Sequence, residues 1–194
     1  MKNILLSVFI LVLGLETNAQ NKIDDKILLV LDIQKLFTST TISDSSAMYL
    51  IDNSNSIISK FIPNNVIYIQ SIARVLNVSL KGFRVDTLPN LELDPRLNVV
   101  NNNIFTKNKG NAFTSEELNS FVEKSSIKEI IVIGLLAENC VKETLLGGKK
   151  KGYTMYYIPE AIAAKNNESK TNTEAKFRKS DIIEMSISQI VNLK

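Results

Sequence analysis

The apolar residues of this chain come in short unbroken runs, separated by longer stretches with helical spacing. Ile27, Leu28, Leu29, Val30 and Leu31 stand together between Lys26 and Asp32. A run without alternation suits a strand buried on both faces, as in a parallel sheet. Similar runs lie at 66–72, 103–106, 129–134 and 153–158, the last closed by Pro159, and 184–188 reads as a short final strand. Between them Ala47, Leu50, Ile51, Ile57, Ile58 and Phe61 recur at helical spacing until Pro63 stops them. Leu118, Phe121 and Val122 mark another helix, for which Thr114 and Glu117 form a capping box. Val141, Thr144, Leu145 and Gly148 share a face of a third, ended by Gly152, and 173–182 reads as a fourth. Residues 73–102 show no period and are punctuated by Gly82, Pro89 and Pro95, so a long irregular loop is expected there. Alternating strands and helices predict an α/β domain with a mainly parallel sheet and right-handed crossovers. No repeat or linker divides it.

The first residues follow another pattern. Lys2 precedes an apolar run, 4–15, and then Thr17, Asn18, Ala19 and Gln20. A basic start, a short apolar middle and a small-residue exit describe an export signal. The run is shorter than the ~20 residues a membrane-spanning helix needs. Residues 1–19 are therefore read as a signal peptide cleaved after Ala19, and 20–194 as one domain of an exported, periplasmic or secreted protein without a stable membrane anchor. The formal charge is +3, with charged residues at 22%. The lysines are dispersed, so nucleic acid is not an expected partner.

The chain has one cysteine and no histidine. Ligands of open α/β sheets bind beyond the carboxyl ends of the strands. Three residues belong there: Asp32 closes the first predicted strand, Lys107 the third, and Cys140 follows the fourth. The thiolate is the reactive form of cysteine. A helix start and a nearby ammonium are both expected to lower the pKa of Cys140. With no imidazole available, Asp32 is the base that would take the thiol proton. Each residue also has a plainer reading: a turn cap for Asp32, a solvated lysine for Lys107, a packed core thiol for Cys140.

Four segments carry a resemblance. LLVLDIQKLF, 28–37, ends in D-x-Q-x-x-F; KNKGNAF, 107–113, is similar to K-x-x-x-S-A-F; GLLAENCVKETLLGGKKKGY, 134–153, is similar to G-x-x-T-[DE]-x-C-V-x-x-T; and KGFRVDTLPNLEL, 81–93, matches a loop between them. In this order they resemble the isochorismatase-like cysteine hydrolases. The resemblance implies a Rossmann-like three-layer α/β/α fold and an Asp32–Lys107–Cys140 triad. It implies hydrolysis of a C–N bond in a small amide or ureido substrate through a covalent cysteine intermediate; for this chain no cofactor is expected. It also implies a cis bond at Leu135–Leu136, with the N–H groups of Leu136 and Cys140 as oxyanion hole. Phe37 and Phe113 are expected to line a small apolar pocket beside the cysteine, with Gln34 as a polar contact. A homo-oligomer is expected. Asn111, Ala137 and Glu160 depart from the usual Ser, Thr and Asp, and 68–72 lacks the family's polar, His-bearing pattern. A catalytically inactive binding protein on the same fold is the alternative. A thiol redox protein is a third reading, weakened by the absence of a resolving cysteine.

Some of these relatives hold zinc or iron through an acid and histidines. This chain has no histidine, its only cysteine is assigned to chemistry, and 67–75 contains no acid. Activity should therefore survive exhaustive EDTA dialysis, with metal content measured on the same sample. Loss of activity that stoichiometric zinc restores would overturn this expectation.

Overall fold

The computed structural model describes residues 22–72, 74–79, 82–87 and 91–191; the export signal expected at 1–19 lies outside them. Six strands form one sheet: β1 (Lys26–Leu31), β2 (Val66–Ser71), β5 (Ile104–Lys107), β6 (Glu129–Leu135), β7 (Thr154–Ala163) and β8 (Ile183–Glu184). Their order is β5-β2-β1-β6-β7-β8, and every neighbouring pair is parallel. The helices are α1 (Lys35–Thr40), α2 (Asp44–Ile58), α3 (Glu116–Ser125), α4 (Lys142–Lys150), α5 (Asn167–Lys179) and α6 (Ile187–Val191).

The unbroken run in β1 is explained by its surroundings. Ile27, Leu29 and Leu31 join a core with Leu118 of α3, Leu145 of α4 and Phe177 of α5. Leu28 and Val30 join the opposite core with Leu50, Ile51 and Ile57 of α2 and Ile190 of α6. Consecutive residues serve opposite faces, each burial being worth about 1.5–3 kcal/mol. The result is the three-layer α/β/α arrangement that the alternation predicts.

Several details differ from the sequence reading. Residues 73–102 are not all irregular: β3 (Arg74–Ser79) and β4 (Gly82–Thr87) pair antiparallel as a separate two-stranded sheet. The α3 cap is Ser115, whose hydroxyl accepts the N–H of Leu118, while Thr114 belongs to a preceding 3-10 turn. The fourth predicted helix starts earlier, capped by Asn166, and stops at Lys179. The last strand is only two residues long, because Ser186 turns the chain by accepting the N–H of Gln189 and α6 follows.

β7 does not stop at Pro159. Its ladder to β6 runs to Tyr157, skips, and resumes at Ile162 opposite Gly134. One residue of β6, Ile133, thus faces four of β7, 158–161. A proline is tolerated in such a bulge because no ladder N–H is needed there. The displaced carbonyls find side-chain donors instead: Asn53 of α2 donates to Glu160 O at 2.8 Å, and Lys170 of α5 to Pro159 O at 2.5 Å.

Gly134 sits opposite Leu31, at the end of β1, with φ +126°. A Cβ there would lie 2.0 Å from the Leu31 carbonyl oxygen. Gly134→Ala should therefore lower the unfolding free energy by about 2–3 kcal/mol or more, measured by urea denaturation. A wild-type midpoint would show that β1 and β6 need not approach this closely.

Candidate active site

The strand order places four side chains in a row. Lys107 ends β5, Ser71 ends β2 and is its register partner, Asp32 follows β1, and Cys140 follows β6. Asp32 has φ +56° as its chain leaves the sheet, and its N–H still donates to Ile69 O at 2.9 Å. Cys140 lies in a π-helical turn, Ala137–Val141, closed by Val141 N–H donating to Leu136 O at 3.2 Å. Such turns recur at functional sites. The peptide bond Leu135–Leu136 before it is cis.

The contacts close a compact network. Lys107 Nζ lies 2.8 Å from Asp32 Oδ2, and these side chains are only 1% and 3% exposed. The ammonium donates to Ser71 Oγ at 2.8 Å, and that hydroxyl donates to Asp32 Oδ1 at 2.9 Å. Lys107 Nζ also reaches Cys140 Sγ at 3.2 Å. The sequence-predicted acid, amine and thiol are thus brought together. Ser71 was not singled out by the sequence, yet it bridges the two charges. Its position one residue from the end of the run 66–72 was the available signal.

The thiol does not respond as the sequence suggested. Its pKa is raised, to about 11; burial is the largest cause, the Asp32 charge adds to it, and Lys107 only partly offsets them. The reason is geometric. Lys107 is already neutralised by Asp32, so little net positive field remains to stabilise a thiolate. Cys140 rests as a thiol beside a carboxylate.

Asp32, Ser71 and Cys140 open onto a cleft of about 210 Å³, whose other walls are Phe37, Thr41, Leu135, Leu136 and Asn139. Phe37 lines the cleft as expected of it, and Leu136, expected to supply an N–H, follows the cis bond on the same wall. Phe113 is not among the lining residues: it is buried in the α3/α4 core and stacks on Tyr153, centroids 5.5 Å apart. Gln34 is not among them either. Its amide is fully buried, donating to Leu91 O at 2.5 Å and Ser71 O at 3.3 Å and accepting Ser71 N–H at 2.7 Å. It holds Ser71 in place rather than presenting itself to a ligand. Nearby, Asp94 accepts from Thr38 of α1 at 2.6 Å and from Arg96, whose guanidinium holds its carboxyl well below the usual range. This clamps the segment after β4 beside α1. Asn111 serves as a turn cap, its side chain accepting Phe113 N–H at 2.9 Å.

A metal does not fit this donor set. No group of three or more His, Cys, Asp or Glu side chains converges among the described residues. The stretch 67–75, where the resemblance would put metal ligands, contains no Asp, Glu, His or Cys.

The Isochorismatase domain profile matches residues 26–182. The chain belongs to the isochorismatase family. Solved structures agree on the fold of this isochorismatase-family protein. The cysteine hydrolase from Pseudomonas syringae pv. phaseolicola superposes with a TM-score of 0.72 at 14% identity, covering 87% of this chain and 91% of that one. The pyrazinamidase of Pyrococcus horikoshii, solved in complex with zinc, gives 0.70 at 16%, over 84% and 99%. The YcaC gene product of Escherichia coli, an octameric hydrolase of unknown specificity, gives 0.65 at 16%, over 87% and 78%. At such identities the likeness is one of fold. No curated protein sequence matches the chain. No helix among the described residues is long and apolar enough to cross a membrane.

The network predicts two opposite shifts of the thiol. Iodoacetamide alkylation of Cys140, followed against pH, should titrate near 11 rather than at the ~8.5 of a free cysteine. Asp32→Asn should lower that midpoint, because it removes a negative charge and frees Lys107 to face the sulfur. Lys107→Met should raise it further. A shift of the reverse sign in either variant would mean that the charges do not act on Cys140 as described.

Proposed function

We propose that this protein is an exported cysteine hydrolase that cleaves a C–N bond of a small amide or ureido compound. The observation that supports it is the contact of Cys140 with the buried Asp32–Lys107 pair at the mouth of a cleft, in a chain of a hydrolase family. Asp32 takes the thiol proton as the sulfur attacks the carbonyl carbon. The N–H groups of Leu136 and Cys140 stabilise the resulting oxyanion. Collapse breaks the C–N bond, and the amine leaves with the proton from Asp32. Asp32 then takes a proton from water, which attacks the thioester and releases the acid, restoring the thiol. Lys107 stays charged throughout and offsets the negative charge that moves between sulfur and carboxylate. We read residues 1–19 as the export signal. The octameric E. coli relative supports a homo-oligomeric assembly.

A panel of small amides and ureido compounds, assayed for ammonia or amine release, tests the reading. Cys140→Ser and Asp32→Asn should each reduce turnover by about 10³-fold or more while leaving the circular dichroism spectrum unchanged. An acyl adduct on Cys140 should be trapped by mass spectrometry. Wild-type turnover by Cys140→Ser on a true substrate would show that Cys140 is not the nucleophile.

A further inference from the structure

The cleft beside Cys140 carries two polar side chains that the proposed reaction does not use. Of its described walls, Phe37, Leu135 and Leu136 are apolar, and Asp32, Ser71 and Cys140 belong to the reacting row. What remains is Thr41 and Asn139.

The neighbours of these two have committed their polar groups. The hydroxyls of Thr38, Ser39 and Thr40 each return to the carbonyl four residues back, at 3.2, 2.7 and 2.7 Å. Thr41 breaks that series. As the C-cap of α1 it places its backbone N–H on Phe37 O, and its hydroxyl has no partner among the described residues. In the nucleophile turn, Glu138 accepts the backbone N–H of Lys165 at 3.0 Å, whereas the Asn139 carboxamide has no partner among the described residues. Asn139 is held by its backbone alone: its N–H donates to Leu136 O at 3.0 Å and its carbonyl accepts the N–H of Lys142. Successive side chains of a helical turn point about 100° apart. The Asn139 amide therefore reaches the wall beside the sulfur rather than the carbonyl that the sulfur attacks.

The wall is also balanced in charge. Asp32 is its one carboxylate among the described residues, and Lys107 neutralises it at 2.8 Å. A charged group entering the cleft would find no free counter-ion there, and burying an unpaired charge costs far more than burying a hydrogen-bonded neutral group. A hydroxyl and a carboxamide each offer both a donor and an acceptor. Together they match a neutral group that also has both.

We propose that Thr41 and Asn139 determine specificity by binding a neutral donor–acceptor group, of which a second carboxamide is the simplest, at the end of the substrate away from the bond broken at Cys140. The apolar stretch between is taken by Phe37 and the two leucines. This rests on the hydrolase reading for its kinetic test but not for its binding test.

The kinetic test compares three amides of one shape on the full chain: succinamide, 4-methylpentanamide, in which the far carboxamide is an isopropyl group, and succinamate, in which it is a carboxylate. Per scissile amide, succinamide should exceed each of the others in kcat/KM by about tenfold, the scale of two neutral hydrogen bonds. A site built to hydrogen-bond a group rejects the analogue that lacks it. The Asn139→Leu/Thr41→Val double variant should bring the ratio of succinamide to 4-methylpentanamide to about one. The binding test titrates succinamide by NMR into Cys140→Ala, which cannot turn it over, and into the same protein carrying the double variant, which should bind about tenfold more weakly. Asn139 is exposed and Thr41 half-buried, so neither change opens the core; should the double variant not fold, each single variant gives the same readouts at about threefold. Binding that depends on Asn139 and Thr41, without turnover of any amide by wild type, would sink the hydrolase reading and leave the recognition pair standing. Equal use of succinamide and 4-methylpentanamide by wild type, or succinamide binding that the variants leave unchanged, would overturn the proposal.

Discussion

A carboxylate and an ammonium, both all but sealed from water, pair at the edge of the sheet. Either ion alone would cost several kcal/mol to bury, and removing one partner typically destabilises by about 3–5 kcal/mol. Asp32 and Lys107 offset that cost by direct contact at 2.8 Å and through Ser71 at the end of β2 between them, whose hydroxyl accepts from one and donates to the other. A slip of one residue in β2 or β5 would turn Ser71 or Lys107 to the opposite face and leave Asp32 without its partners. The register of the central strands is therefore held by electrostatics as well as by burial of Leu28, Val30 and their neighbours.

The same pair sets the resting state of the sulfur. A lone ammonium 3.2 Å from Sγ would favour a thiolate, but this ammonium is shared with a carboxylate. On the proposed mechanism the thiol keeps its proton until a substrate is in place and the carboxylate accepts it. That arrangement limits adventitious oxidation, which follows thiolate character.

Much of this was legible from the chain alone, for identifiable reasons. The runs in β1, β2 and β6 stand out because burial on two faces removes polar alternation. Asp32, Lys107 and Cys140 could be picked because each lies at or just past a strand end, where open sheets bind ligands. Ser71 occupies the same kind of position but is small and neutral, so nothing in its identity marks it. Gln34 looked like a ligand contact because its partners, 37 and 57 residues away, are set by tertiary folding. Phe113 follows a catalytic motif, but the 3-10 turn that Asn111 caps carries it into the core, where its ring stacks on Tyr153. The sign of the shift at Cys140 depends on Lys107 being already neutralised, a fact of distance rather than of composition. Pro159 reads as a stop because a proline usually is one; only the excess of four residues over one gives it a place inside a strand.

That excess has a consequence for how such a protein diversifies. The looped residues of β7 are anchored by Asn53 on one face and Lys170 on the other, away from the Lys107–Ser71–Asp32–Cys140 row. An insertion or deletion within 158–161 would fall between the two paired stretches of β7 and leave the ladder on either side in register. Descendants of this chain could thus vary that loop in length and inherit the Lys107–Ser71–Asp32–Cys140 row intact.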